Sequence, residues 1–464
     1  MEQNYTFLSM VRKYVSSSVL LVLATIAALI VANLPATADW YHDIWLEEVS
    51  LSIGRISLFT HHGEAMNVSQ FINDFLMAIF FLSVGLELKR EIFCGGELST
   101  VKKAMLPVIG ACGGMLVPII VFFIALHATV SDPAMLNVMS RGLPIPMATD
   151  IAFSLGVLSM FSKRVPLGLK VFLAALAVAD DLGGIIVIAV KYTDYISFPH
   201  LLGAFGCAAL CLLTGRFWKS ATKMVYFTIG IAMWWLVLNS GIHATIAGVI
   251  LAFCVPAKLN NGTSFYIERI RRHVDKFPHL EVTAKDKKTP TLLSEDDIQD
   301  LRAIEAASDH LISTLQDMED VLRNPINYII IPLFAFANAG VCFDGMSIMN
   351  LFEGVGLGVF AGLLIGKFIG VFSASWISIK LKLVKMPENT SWRAMSGVAA
   401  LCGMGFTVSM FMATLSYPVT LANAESGLMH DLLNDAKLGI LCGTVASALV
   451  GSLILNRTLP KANA

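Results

Sequence analysis

FLAALAVADDLGGIIVIAV, residues 172–190, places two adjacent aspartates in the middle of an otherwise apolar run. The run is long enough to cross a bilayer as a helix, which takes about 20 apolar residues. Charges at that depth are costly and default to a functional reading. Successive helical residues point about 100° apart, so Asp180 and Asp181 cannot do the same job. One can face a water-filled cavity while the other faces a neighbouring helix. Two carboxylates in low dielectric cannot both stay ionised without a cation nearby. Carboxylate and carbonyl oxygens suit a hard cation such as Na+, by extension from the rules for Ca2+ and Mg2+. The same carboxylates can instead take protons. A site that holds a cation or protons, but not both, is an exchanger by competition. The plain alternative is an acid pair at a helix end, snorkelling to water; the apolar residues on both sides argue against it.

The rest of the chain has the same character. Of 464 residues, 56% are hydrophobic and 14% are charged, against about a quarter charged in soluble proteins. Lipid must therefore be the main solvent. A net charge of -1 offers no footprint for nucleic acid. The eight cysteines have no metal-ligand or disulfide spacing. Cys112, Cys207, Cys211 and Cys402 read as small buried apolar residues.

Apolar stretches recur near 14–34, 70–88, 104–127, 143–161, 167–190, 200–214, 224–237, 239–255, 326–344, 352–380, 394–416 and 435–456, an all-α polytopic pattern of about twelve spans. Lys and Arg gather in alternate loops, at 12–13, 89–103, 163–164, 216–223, 257–323, 380–385 and 457–461. Basic loops stay inside, which puts both termini in the cytoplasm of an inner-membrane protein. Arg12 and Lys13 before Val15–Val31, with Ala36-Thr37-Ala38 after, mimic a signal peptide; the run is too long for one and is expected to stay as the first helix. Outside the spans, EEVSLSIGRISLFT (47–60) alternates around Ile53-Gly54-Arg55 and predicts an outer β-hairpin. A lone hairpin is marginal in water, so it is expected to pair, plausibly with a second subunit. In the 257–323 loop, Ser294 and Asp297 suggest an acidic capping box for an amphipathic helix bearing Ile298, Leu301, Ile304, Leu311, Leu315, Met318 and Leu322. Packing on the cytoplasmic face is its plain reading.

Further charges lie in spans: Asp150 in GLPIPMATDIAFSLGVL (142–158), Lys367 in VFAGLLIGKFIGVF (359–372), Asp74 in FINDFLMAIFF (71–81) and His243 in NSGIHATIAGVI (239–250). Lys367 must pair or deprotonate, and an acid of the pair is its natural partner. Pro144 and Pro146 disfavour regular helix before Met147-Ala148-Thr149-Asp150. A counterpart with Gly397, Gly403 and Gly405 occurs in GVAALCGMGFTVSMF (397–411), and TDIAFSLGVLSMF (149–161) echoes GMGFTVSMFMATL (403–415). Matching interrupted spans in two halves point to a transporter site between inverted repeats. Asp150 could neutralise half-helix N-termini and Lys367 C-termini, which needs no ion at all. Asp74 is ambiguous between cavity and interface. His243 reads first as a packing histidine, although it suits pH sensing. Glu87, Arg90 and Glu91 read as a solvated helix-end cluster.

These stretches, with FINDFLMAIFFLSVGLELKRE (71–91), SGIHATIAGVI (240–250), PLFAFANAGV (332–341) and AGLLIGK (361–367), resemble the NhaA-type Na+/H+ antiporter family over nearly the whole chain. The resemblance implies twelve helices with two unwound and crossing at mid-membrane, and electrogenic, pH-regulated export of Na+ or Li+ against two protons. It implies no cofactor and no enzymatic activity. It implies Asp181 and Asp180 as the Na+ and proton site, Asp150 and Thr149 at the unwound helix, and Lys367 as the in-span lysine. Glu87, Arg90, Glu91 and Glu319 match a pH-response cluster, with Asp74 and His243 as further candidates. Segment 47–60 matches a dimerising hairpin. The implied division is 104–190 and 352–456 as ion-binding repeats, with 14–92 and 200–344 as interface and scaffold. Departures are Phe368 in place of a frequent proline, Asp320 and Arg323 where the family can carry histidines, and the length of the 257–323 loop. A sodium-coupled organic-anion symporter has a similar core but needs a larger cavity. An intramembrane aspartyl protease needs a neutral acid in a shared-proton dyad, which an in-span lysine opposes.

Overall fold

The computed structural model describes residues 16–459, apart from 50–51, 54–55, 58, 62–63, 162–163, 194–195, 219–221, 258–262, 276–294, 310, 344–347 and 420–426. The helices are α1 (Ser17–Asn33), α2 (Ala38–Ile44), α3 (Val68–Phe93), α4 (Val101–Thr129), α5 (Pro133–Met139) and α6 (Ile151–Met160). They continue with α7 (Leu167–Lys191), α8 (Phe198–Phe217), α9 (Lys223–Leu238), α10 (Ile246–Cys254), α11 (Thr263–Val274) and α12 (Glu295–Asp309). α13 (Thr314–Pro325), α14 (Ile331–Asn338), α15 (Gly354–Lys380), α16 (Trp392–Leu401), α17 (Phe406–Ser416) and α18 (Leu428–Thr458) complete the chain.

Among the described residues, six helices are long and apolar enough to cross a membrane, and nine spans result if each bent pair counts as one. The bent pairs are α1 with α2 (114°), the 133–147 segment with α6 (43°), and α16 with α17 (43°). Large apolar side chains face outward, among them Leu116 and Ile124 on α4, Leu202 and Phe205 on α8, and Leu449 and Leu453 on α18. Water would not tolerate so much apolar surface, whereas lipid supplies its natural contact. Cys112 belongs to that outer face of α4 and is exposed, which corrects its reading as a buried residue; Cys211 and Cys402 are buried.

Two other expectations change. Short antiparallel strands Ser52–Ile53 and Ile56–Ser57 do pair, Ile53 opposite Ile56. A second sheet forms around them, with Glu64–Asn67 central between Glu48–Val49 and Thr60–His61, so the strand region runs past 60 to 67. The amphipathic helix of the long loop is two helices. Ser313 caps α13 reciprocally with Gln316, and that local bond ends the run before Leu315. Leu315, Met318 and Leu322 are buried, while Ile298 and Leu301 of α12 stay exposed. Ser294, the expected cap, lies outside the described residues.

Glycines let the backbones of α4 and α15 touch. A β-carbon on Gly113 would collide with the Gly370 carbonyl oxygen, and one on Gly370 with that of Gly113. This crossing fixes where Lys367, one turn before Gly370, enters the interior. Gly370→Val is expected to cost at least the 1–3 kcal/mol or so of ordinary overpacking. Gly206→Val, with open space around its α-carbon, is expected to leave thermal unfolding in detergent nearly unchanged. Equal unfolding temperatures for the two variants would refute the close crossing.

Candidate functional site

The two unwound stretches, Ala148–Asp150 and Cys402–Gly405, meet each other. Helix breaks leave backbone groups unpaired, which low dielectric penalises. Here each break is tied to the other. The Asp150 amide donates to the Met404 carbonyl at 2.6 Å. Ser154 Oγ donates to the Leu401 carbonyl at 3.2 Å, and Ser409 Oγ to the Ile145 carbonyl at 2.7 Å. The side chain of Asp150 caps α6 by accepting from the Phe153 amide at 3.1 Å. Its other oxygen accepts from the Thr407 amide (3.0 Å) and hydroxyl (2.6 Å) in the first turn of α17. One carboxylate thus faces two helix N-termini, where negative charge is favoured.

Asp180 and Asp181 divide as their helical spacing requires. Asp180 is buried, and its Oδ2 receives both the Lys367 ammonium and the Thr149 hydroxyl, the latter at 2.6 Å. Thr149 Oγ1 also lies 2.9 Å from the Cys402 carbonyl, at the C-terminal end of α16. That carbonyl is met by Thr149, while the ammonium of Lys367 goes to Asp180. Asp181 instead lines a cavity of about 470 Å3 together with Thr149, Asp150 and Thr407. Asp180 Oδ1 and Asp181 Oδ1 are both buried without a hydrogen-bond partner. Buried polar atoms are seldom left so, and an oxygen of this kind at the end of a cavity is suited to a cation or a proton.

The same cavity runs to Glu87, Arg90, Glu319 and Arg323. Arg90 contacts Glu319 directly, with Glu91 at 3.5 Å and Glu87 at 4.0 Å. Arg323 adds Glu319 and Asp320, each at 3.5 Å. Glu319 is buried, whereas the side chains of Glu87 and Arg90 are 41% and 33% exposed, so the cluster runs from a solvated helix end into the interior. Asp74 and His243 belong elsewhere, in a second cavity of about 590 Å3 with Arg141, Lys191 and Tyr192. His243 Nε2 lies 3.5 Å from Asp74 Oδ1. The two cavities reach opposite ends of α3. Between them lies Phe411, whose ring packs on His243, Phe81 and Phe334 at centroid distances of 5.4, 5.7 and 6.5 Å. Val408, about a turn earlier, lines the first cavity, and Thr414, about a turn later, lines the second.

Sequence reasoning passed over Thr407, which has no charge to mark it. It also passed over Lys437, although the rule applied to Lys367 applies equally there. Lys437 is buried in α18 and donates to the Gly340 carbonyl at 3.4 Å, just beyond the C-terminus of α14.

Comparison with known proteins finds relatives over nearly the whole chain. The family described as Na+/H+ antiporter 1 matches residues 9–455. The chain is 47% identical over 451 residues to the Na(+)/H(+) antiporter NhaA of Bacteroides thetaiotaomicron, covering 96% of each chain. The protein of that name from Porphyromonas gingivalis strain ATCC 33277 is 40% identical over 468 residues, covering 100% of this chain and 99% of its own. That of Shigella dysenteriae is 38% identical over 437 residues, covering 94% of each.

The Lys367–Asp180 pair is buried, so removing one partner strands the other. Lys367→Met is expected to destabilise the protein by about 3–5 kcal/mol. Adding Asp180→Asn is expected to restore part of that loss in the same detergent melt. A double variant no more stable than Lys367→Met would show that the two groups are not energetically coupled.

Proposed function

The chain belongs to the Na+/H+ antiporter 1 family, and from that premise we propose a cycle in which Asp181 is the central exchange group. The protein exchanges Na+ for H+ across a membrane. The observation that carries the assignment of Asp181 is that it lines the first cavity and has a buried Oδ1 without a hydrogen-bond partner. Asp150, Thr149 and Asp180 supply the neighbouring oxygens. Glu87, Arg90, Glu91 and Glu319 form the polar approach and are the candidates for pH response, with Asp74 and His243 on the far side.

In this reading the first cavity opens to the cytoplasm of an inner-membrane protein with both termini inside. Twelve spans include the two broken ones, with 104–190 and 352–456 as inverted repeats. Deprotonated Asp181 takes Na+ or Li+ from the cytoplasm. The crossing then rocks against the scaffold of 14–92 and 200–344, and the ion leaves through the second cavity as protons load. Lys367 or the second acid carries the second proton, which makes exchange electrogenic. The strands around residues 47–60 face the periplasm and join two copies in a dimer. No cofactor takes part, and the names of the relatives favour exchange over anion symport.

The direct test is collapse of a preformed pH gradient by Na+ in inverted membrane vesicles. Wild type is expected to respond and Asp181→Asn to be silent from acid to alkaline pH. A wild-type protein that is inserted yet ignores Na+ and Li+ at every pH would overturn the assignment. Phe411 stands on α17 between Val408 of the first cavity and Thr414 of the second, and Phe411→Ala is expected to open a path between them. That variant is expected to leak protons without Na+, seen as faster passive decay of the gradient. Decay at the wild-type rate would exclude Phe411 as the barrier.

A further inference from the structure

A third cavity, of about 810 Å3, lies away from the ion site. Its walls come from the start of α4, from 164–168 with the first turns of α7, and from 385–389 between α15 and α16. The cavity is graded in depth. Lys102, Lys103, Lys385 and Glu388 are exposed at its rim and Glu97 is half-buried, while Leu106, Val165 and Phe172 are buried in its floor. Leu167, 76% exposed, continues the apolar wall onto the outer surface of the molecule.

The charges are not consumed internally. Arg164 is committed to structure, donating to Asn456 Oδ1 at 2.9 Å, to the Asn456 carbonyl at 3.0 Å and to the Leu459 carbonyl at 2.9 Å. Among the described residues, none of the three lysines has a carboxylate oxygen within 4.0 Å. The cavity is also built rather than incidental. A β-carbon on Gly168 would lie 3.2 Å from Pro387 and 3.4 Å from the backbone of Glu388, so the loop carrying Lys385 is seated tightly on α7. These helix ends belong to the face that the basic loops mark as cytoplasmic, at headgroup level.

We propose that this cavity binds an anionic phospholipid, its phosphate among Lys102, Lys103 and Lys385 and its chains along Leu106, Phe172 and Leu167. Basic pockets between membrane helices on the cytoplasmic side take such headgroups. The volume falls in the range of about 300–1,000 Å3 typical of small-ligand sites, enough for a headgroup and the start of its chains. A zwitterionic lipid fills the apolar wall equally but presents no net charge to the lysines. The apolar wall distinguishes a lipid from free phosphate. The bound lipid joins α4 to α7, about two to four turns before Asp181, and to the α15–α16 connection.

The test uses the full-length protein in mild detergent with phosphatidylglycerol, phosphatidylcholine of the same chains, or glycerol phosphate. Native mass spectrometry is expected to show phosphatidylglycerol retained in preference to phosphatidylcholine, with a matching rise in unfolding temperature. Each Lys→Gln change is expected to weaken retention roughly five-fold, the share of one basic side chain near an anionic surface. Lys102→Gln/Lys103→Gln/Lys385→Gln together is expected to lose the preference. Equal retention of the two lipids by wild type, an unchanged preference in the variants, or an equal gain from glycerol phosphate would each overturn the proposal. If the triple variant cannot be purified, the single variants decide it in the same way.

Discussion

The whole interior depends on Asp150, the carboxylate that holds two broken helices together. Each break exposes backbone donors at a depth where water is scarce. Asp150 answers the N-terminus of α6 through the Phe153 amide and that of α17 through the Thr407 amide and hydroxyl. Its own amide donates to Met404 in the opposite break. The carboxylate is therefore structural before it is anything else. The same placement puts it on the wall of the cavity that Asp181 also lines.

From this crossing the other buried charges follow. A continuous helix would present side chains alone; a break also offers carbonyls and amides. Thr149 sits in one break and reaches the Cys402 carbonyl of the other as well as Asp180. Lys367 arrives from α15, beside the glycine crossing with α4, just after a π-helical turn over Gly362–Gly366. Such turns are frequent at functional sites because they re-aim the side chains that follow. A second π-helical turn, Phe71–Leu76, contains Asp74.

The buried charged residues were legible because charge inside an apolar run is conspicuous and helical geometry is rigid. The 100° between Asp180 and Asp181 sufficed to predict different surroundings, and Lys367 had to find an acid. The breaks were visible in Pro144, Pro146, Gly403 and Gly405. What sequence could not supply was long-range pairing. Nothing around Thr407 says that its hydroxyl meets a carboxylate 257 positions away. Nor does the long loop announce that the Ser313–Gln316 box outcompetes a continuous helix. Cys112 was misplaced for a physical reason: in lipid, apolar sequence does not distinguish an inward from an outward face.

The two adjacent acids show why a pair serves where one carboxylate would not. Asp180 Oδ2 is the meeting point of Lys367 and Thr149, and that three-way contact ties α7 to α15 and to the first break. A group so engaged cannot change its partners without loosening the core. Asp181, one residue on, lines the cavity and has a buried oxygen without a hydrogen-bond partner, so its carboxylate is less tightly engaged. Any event at Asp181 is nevertheless felt by Asp180, because the two share one helical turn and a low-dielectric interior. Adjacency thus joins a cavity-lining acid to one held in the core with no intervening machinery. A shift at the Lys367 contact reaches the crossing through Thr149, which meets both Asp180 and the Cys402 carbonyl.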